Sequence, residues 1–73
     1  MKPYKASNGI VITYRGRYGA HEYYDLGRGL EIIAADGTAP MLRGRREPTA
    51  AQLVALGELR QAREEKRLAW LAS

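Results

Sequence analysis

The sequence predicts an α+β domain: a small three-stranded antiparallel sheet, connected as a meander, followed by one C-terminal helix packed on it. Three observations predict it. Three short runs rich in β-branched, aromatic and aliphatic residues lie between positions 9 and 37, separated by glycine-containing turns. Thr49 and Gln52 have the Thr-x-x-Gln spacing of a capping box, which marks a helix start. Leu53, Val54, Leu56 and Leu59 follow at helical spacing.

The elements follow in chain order. Residues 9–15 are the strongest strand candidate, because Ile10, Val11, Ile12, Thr13 and Tyr14 suit a pleated surface. Period two places Ile10, Ile12 and Tyr14 on one face and Val11, Thr13 and Arg15 on the other. Arg15-Gly16-Arg17-Tyr18-Gly19 reads as a turn. Residues 20–26 form a second strand, with His21, Tyr23 and Asp25 opposite in sense to Glu22, Tyr24 and Leu26. Gly27-Arg28-Gly29 is the next turn, residues 30–35 the third strand, and Asp36-Gly37 a closing turn signal. Residues 38–48 are a connector holding Pro40, Met41-Leu42 and Arg43-Gly44-Arg45-Arg46.

The helix is expected over residues 49–66, packed on the sheet through Leu53, Val54, Leu56 and Leu59. Gly57 interrupts it, at up to about 1 kcal/mol relative to Ala, unless it lets the helix approach a strand closely. Residues 67–73 leave two outcomes open. They fray past the sheet, or Leu68, Trp70 and Leu71 touch a partner or fold back.

Length and composition bound the function. Seventy-three residues make one small domain spanning 1–73. Without cysteine there is no disulfide framework, thiol nucleophile or cysteine zinc site, and one histidine cannot build a histidine metal cluster. No cofactor is expected. Residues 1–5 carry the positive charge of a signal peptide but lack its apolar stretch. The longest apolar runs, 9–13 and 32–35, fall far short of a membrane span. A cytoplasmic protein, monomeric on its own, is the expectation.

The net charge is +4, and nine of the twelve basic residues are arginine. A GC-rich genome favours arginine codons, and arginine is also the better fork for phosphate or carboxylate. The charge leans toward residues 1–30, at net +3, and toward the 43–46 cluster. That cluster is either a solvated turn or an anchor on phosphate or on an acidic surface.

Catalytic signals are weak. Glu22 lies on the opposite strand face from His21, and no Ser or Cys stands where a nucleophile is needed. Glu22 with Asp25, and Glu64 with Glu65, do not converge on one substrate atom. Gly27-Arg28-Gly29-Leu30 lacks the Lys-Ser/Thr ending of a P-loop. The informative feature is aromatic. There is no Phe, and all five tyrosines lie in the first 24 residues, interleaved with Arg15, Arg17 and His21. Tyrosine and arginine are enriched at protein interfaces, and the same mix serves single-stranded nucleic acid. The plainer alternative is that these rings cover a small sheet half in water. The candidate partner-binding residues are Tyr4, Tyr14, Arg15, Arg17, Tyr18, Arg43, Arg45 and Arg46.

A short, cysteine-free, arginine-rich chain with a tyrosine-rich strand region resembles the small RNA polymerase-binding transcription regulators of lytic bacteriophages that infect Xanthomonas. The resemblance rests on length and general character and assigns no individual residue. It implies a non-enzymatic protein that docks on host RNA polymerase near the N-terminus of β′, by the RNA exit channel and close to the ω subunit. It further implies inhibition of initiation through loss of σ, and read-through of terminators. On the residues alone, an exposed Tyr/Arg sheet surface or strand edge would hold a short segment of the partner. The alternative is an independent RNA- or DNA-binding module using Tyr/Arg contacts.

Overall fold

Alternating apolar residues build a sheet of five strands rather than three. The computed structural model of the chain describes residues 4–35 and 38–72. The strands are β1 (Tyr4–Lys5), β2 (Val11–Tyr18), β3 (His21–Gly27), β4 (Leu30–Ala35) and β5 (Met41–Arg43), followed by α1 (Ala50–Ala72). The strands pair antiparallel in chain order. The two strands missing from the sequence reading are the edges, two and three residues long. Elements that short carry no periodicity. They are fixed by pairing, Tyr4 opposite Ile12 and Leu42 opposite Ile32. The Asp36-Gly37 turn signal lies outside the described residues.

The expected turn over 15–19 is instead the second half of β2. Tyr14 faces Tyr24, but Gly16 faces Tyr23, so Arg15 is the extra residue of a bulge. An extra residue reverses the side-chain alternation. Beyond it Arg17 stands opposite Glu22 and Tyr18 opposite His21. The chain reverses at Gly19-Ala20.

One face of the sheet is apolar. Tyr14, Tyr24, Ile32 and Leu42 form a row across four strands. Ile12, Tyr24, Leu26, Leu30, Ile32 and Ala34 are buried there against Ala55, Leu56 and Leu59 of α1. The capping box is formed: Thr49 N donates to Gln52 Oε1 at 2.9 Å and Gln52 N to Thr49 Oγ1 at 3.1 Å. Gln52 is itself buried, and its Nε2 donates to the Gly27 carbonyl at 3.5 Å. The β1–β2 loop straps the helix flank. Ser7 donates from N and Oγ to the Glu58 carboxylate, and Asn8 Nδ2 to the Ala51 carbonyl.

The helix and β3 run in register. Gln52 sits over Gly27, and Arg63 reaches Glu22 and Tyr24. From Gln52 to Arg63 is about 16 Å at a helical rise of ~1.5 Å per residue. From Gly27 back to Glu22 is about the same at ~3.3 Å per strand residue. The helix therefore runs antiparallel to β3 and leaves the sheet after Arg63. Residues 64–72 are exposed throughout, yet helical. The expected boundary at 66, with a tail over 67–73, gives way to a helix continuing to Ala72. Ser73 lies outside the described residues. Good helix formers fill this stretch, with Gln61 bonded to Glu65 and Arg67 to Glu64.

Leu53 and Val54 do not pack on the sheet; they are half exposed. At ~100° per residue they lie well off the stripe of Leu56, Leu59 and Arg63. Gly57 is on that outward side too, and a Cβ there would meet nothing within 4 Å, so it allows no close approach to a strand.

Two loops meet at the Gly27 end. Arg28 (φ 56°) and Gly29 (φ 76°) are both left-handed, as a type I′ hairpin requires. An arginine there is about 1–2 kcal/mol less favourable than in a right-handed conformation. Gly44 presses on this hairpin. A Cβ there would stand 2.7 Å from Leu30 Cδ2 and 2.9 Å from the Gly29 carbonyl oxygen.

Candidate functional site

Where the helix leaves the sheet, a groove of about 1000 Å³ opens. Tyr4, Tyr14 and Tyr24 supply its sheet side, Pro40 and Leu59 its apolar flank, and Arg63 and Trp70 its helix side. Leu59, Arg63 and Trp70 share one helical stripe, so Trp70 continues the packing face beyond the sheet. Its side chain is 75% exposed.

A polar network fixes the groove's geometry. Arg63 Nη1 donates to Glu22 Oε1 at 3.2 Å and to the Tyr24 hydroxyl at 2.8 Å. Arg17 Nη1 stands 3.7 Å from the same Glu22 oxygen. The Tyr14 ring meets Tyr24 edge to face, centroids 5.4 Å apart. Partial burial, and then the neighbouring Glu22 carboxylate, push the Tyr14 hydroxyl pKa up. Arg60 Nε donates to the Pro40 carbonyl at 2.9 Å, tying the β4–β5 loop to the helix. Among the described residues no buried side-chain polar atom lacks a partner.

At the other end of the sheet lies a smaller depression of about 350 Å³. It is lined by Arg28, Gly29, Glu31, Arg43, Gly44, Arg45 and Arg46. Arg43 Nε is 3.9 Å from Glu31, a long and exposed pair worth little. Among the described residues, no three His, Asp or Glu side chains group to hold a metal, and no helix is long and apolar enough to cross a membrane.

No protein-family model, curated protein or solved structure matches this chain. Its candidate sites rest on their own geometry.

The structure divides the eight residues singled out in the sequence. Tyr4 and Tyr14 line the groove, and Arg17 braces it through Glu22. Arg15 is the exposed bulge residue. Tyr18 is on the opposite sheet face, against Tyr23 with ring centroids 5.6 Å apart. The bulge separates them, because it turns Tyr18 away from the side Tyr14 occupies. Arg43, Arg45 and Arg46 come together at the depression, joined by Arg28. Sequence reasoning did not single out Arg63; it weighed Glu22 for acid–base work and Arg28 in a glycine-rich loop rather than as binding residues, and named Trp70 only as one of the tail residues that touch a partner or fold back. Helical phase carried the signal for two of these, since Arg63 and Trp70 fall on the stripe of Leu56 and Leu59. For Arg28 and Glu22 no local signal exists, because their neighbours come from other strands.

Proposed function

We propose that this chain is a non-enzymatic regulatory module that docks on another protein through the groove beneath the projecting end of α1. One observation carries this reading: the helix continues its packing stripe past the sheet, so that exposed Trp70 lines the same groove as Tyr4 and Tyr14. Tryptophan, tyrosine and arginine around an apolar cleft are the residues that concentrate binding energy at interfaces. The edges β1 and β5 offer two and three residues to an added strand, so the groove supports docking better than an edge does. Glu22 is engaged by Arg63 and Arg17, which favours a scaffold over an acid–base role.

The resemblance supplies the partner. On this proposal it is bacterial RNA polymerase, contacted near the N-terminus of β′ by the RNA exit channel and beside ω. Bound there, the chain lowers initiation by promoting loss of σ and permits terminator read-through.

The test uses purified polymerase core and holoenzyme with the folded chain immobilised. Retention of both core and holoenzyme, with fewer run-off transcripts from a σ-dependent promoter and more read-through at a terminator, supports the proposal. A folded chain that retains neither form sinks it.

A further inference from the structure

We propose that the depression formed by Arg28, Arg43, Arg45 and Arg46 is a second binding site, which takes the phosphodiester backbone of a nucleic-acid strand without reading its bases. The groove at the opposite end of the sheet plays no part in this inference.

Four arginines, Arg28 from the β3–β4 hairpin, Arg43 from the end of β5 and Arg45 and Arg46 from the segment after it, line one depression whose single acidic residue is Glu31. Glu31 pairs loosely with Arg43. Among the described residues Arg28, Arg45 and Arg46 have no carboxylate partner. Neighbouring like charges repel, so an uncompensated cluster of this kind is arranged for an anion.

Backbone geometry makes the same case independently. Arg28 is the non-glycine with positive φ among the described residues, and it occupies a hairpin position that Asn or Gly fills at lower strain. Backbone strain of this sort concentrates at functional positions. The close approach of Gly44 to Gly29 and Leu30 holds the 43–46 loop against that hairpin. With any side chain at position 44, the loop and its arginines would stand away from Arg28.

The lining chemistry selects the ligand. Its residues are arginine, glycine and one glutamate. Protein interfaces centre on apolar and aromatic side chains, and no large apolar or aromatic residue lines this depression. No aromatic ring is present to stack a base. Arginine forks match phosphate oxygens two at a time, and Gly29, where a Cβ would meet nothing within 4 Å, leaves open space beside them. The charge is spread over the β3–β4 hairpin and residues 43–46, which suits successive phosphates of a strand rather than one small anion.

Fluorescence anisotropy of a labelled single-stranded RNA and a labelled DNA duplex tests this, at about 50 and about 200 mM salt. The wild-type chain should bind both, independent of base sequence. With up to four phosphates neutralised, log K against log salt should slope at about −2 to −4. Arg28→Gly keeps the hairpin and removes one guanidinium. It should weaken binding several-fold at low salt and flatten the slope by about 1. The double variant R45A/R46A should flatten it by about 2. Thermal melts establish that each variant is folded. Absence of binding by the folded wild type at low salt overturns the proposal, as do slopes unchanged in both variants. Equal competition by a polyglutamate peptide would assign the site to acidic protein. Full displacement by inorganic phosphate would assign it to a small anion. Either result contradicts the strand reading. The polymerase retention described above is independent of these variants, so the two proposals fail separately.

Discussion

Replacing Gly57 with Ala tests how the helix lies on the sheet. Gly57 is in the middle of α1 on its solvent side, and a Cβ at that position meets no atom within 4 Å. Its φ is not among the positive ones, so alanine adopts the same backbone without strain. What remains is intrinsic propensity, which favours Ala over Gly by about 0.8–1.0 kcal/mol in a helix interior. In a domain of this size such a gain raises Tm by about 3–8 °C. Thermal unfolding followed by circular dichroism reads it directly. A lower Tm for Gly57→Ala would mean that Gly57 faces the sheet. The register that places Gln52 over Gly27 and Arg63 over Glu22 would then be wrong, and with it the projecting helix end.

Three further outcomes follow from the same packing. Thr49→Ala removes the acceptor for the Gln52 amide, and should lower stability by about 0.5–2 kcal/mol in chemical denaturation. Leu59→Ala empties a buried position and should cost about 2–5 kcal/mol, whereas Leu68→Ala on the projecting segment should stay within about 0.5 kcal/mol. Comparable losses in the two would place Leu68 in the core. Hydrogen bonds from the Ser7 hydroxyl and amide hold the Glu58 carboxyl pKa below the ordinary glutamate range. A depressed carboxyl pKa contributes stability above the unfolded value, near 4.3. That contribution is lost as pH falls through the lower folded value. Ser7→Ala should therefore be less stable than wild type at neutral pH, with the gap closing below about pH 4. A gap independent of pH would reject the Ser7–Glu58 link.

The class of fold was legible because its signals are local. The Thr49/Gln52 box, a turn over Gly27-Arg28-Gly29 and the alternation from Glu22 to Leu26 depend on neighbours a few positions apart; all three are present, with Gly27 taken into β3 and the turn tightened to Arg28-Gly29. What escaped was non-local. Tyr4-Lys5 and Met41-Leu42-Arg43 become strands only because β2 and β4 offer free edges to them. The Arg15 bulge shows itself only in the pairing with β3, and it moved Tyr18 off the face of Tyr14. Leu53 and Val54 look like core by composition, but their helical phase keeps them outside. The site was half legible for the same reason. The tyrosines and the 43–46 arginines stand out by composition. Their companions Arg63, Glu22 and Arg28 are assembled by sheet order and helix register.

The most direct test of the docking account is a titration of purified bacterial RNA polymerase with the wild-type chain and with Trp70→Ala and Tyr18→Ala. The two rings are both exposed, but only Trp70 borders the groove. The account predicts that Trp70→Ala weakens binding by about 30-fold, the scale of an interface hot spot. Tyr18→Ala should leave affinity unchanged, and both variants should remain folded. Equal affinity for Trp70→Ala and wild type, or loss confined to Tyr18→Ala, would contradict it.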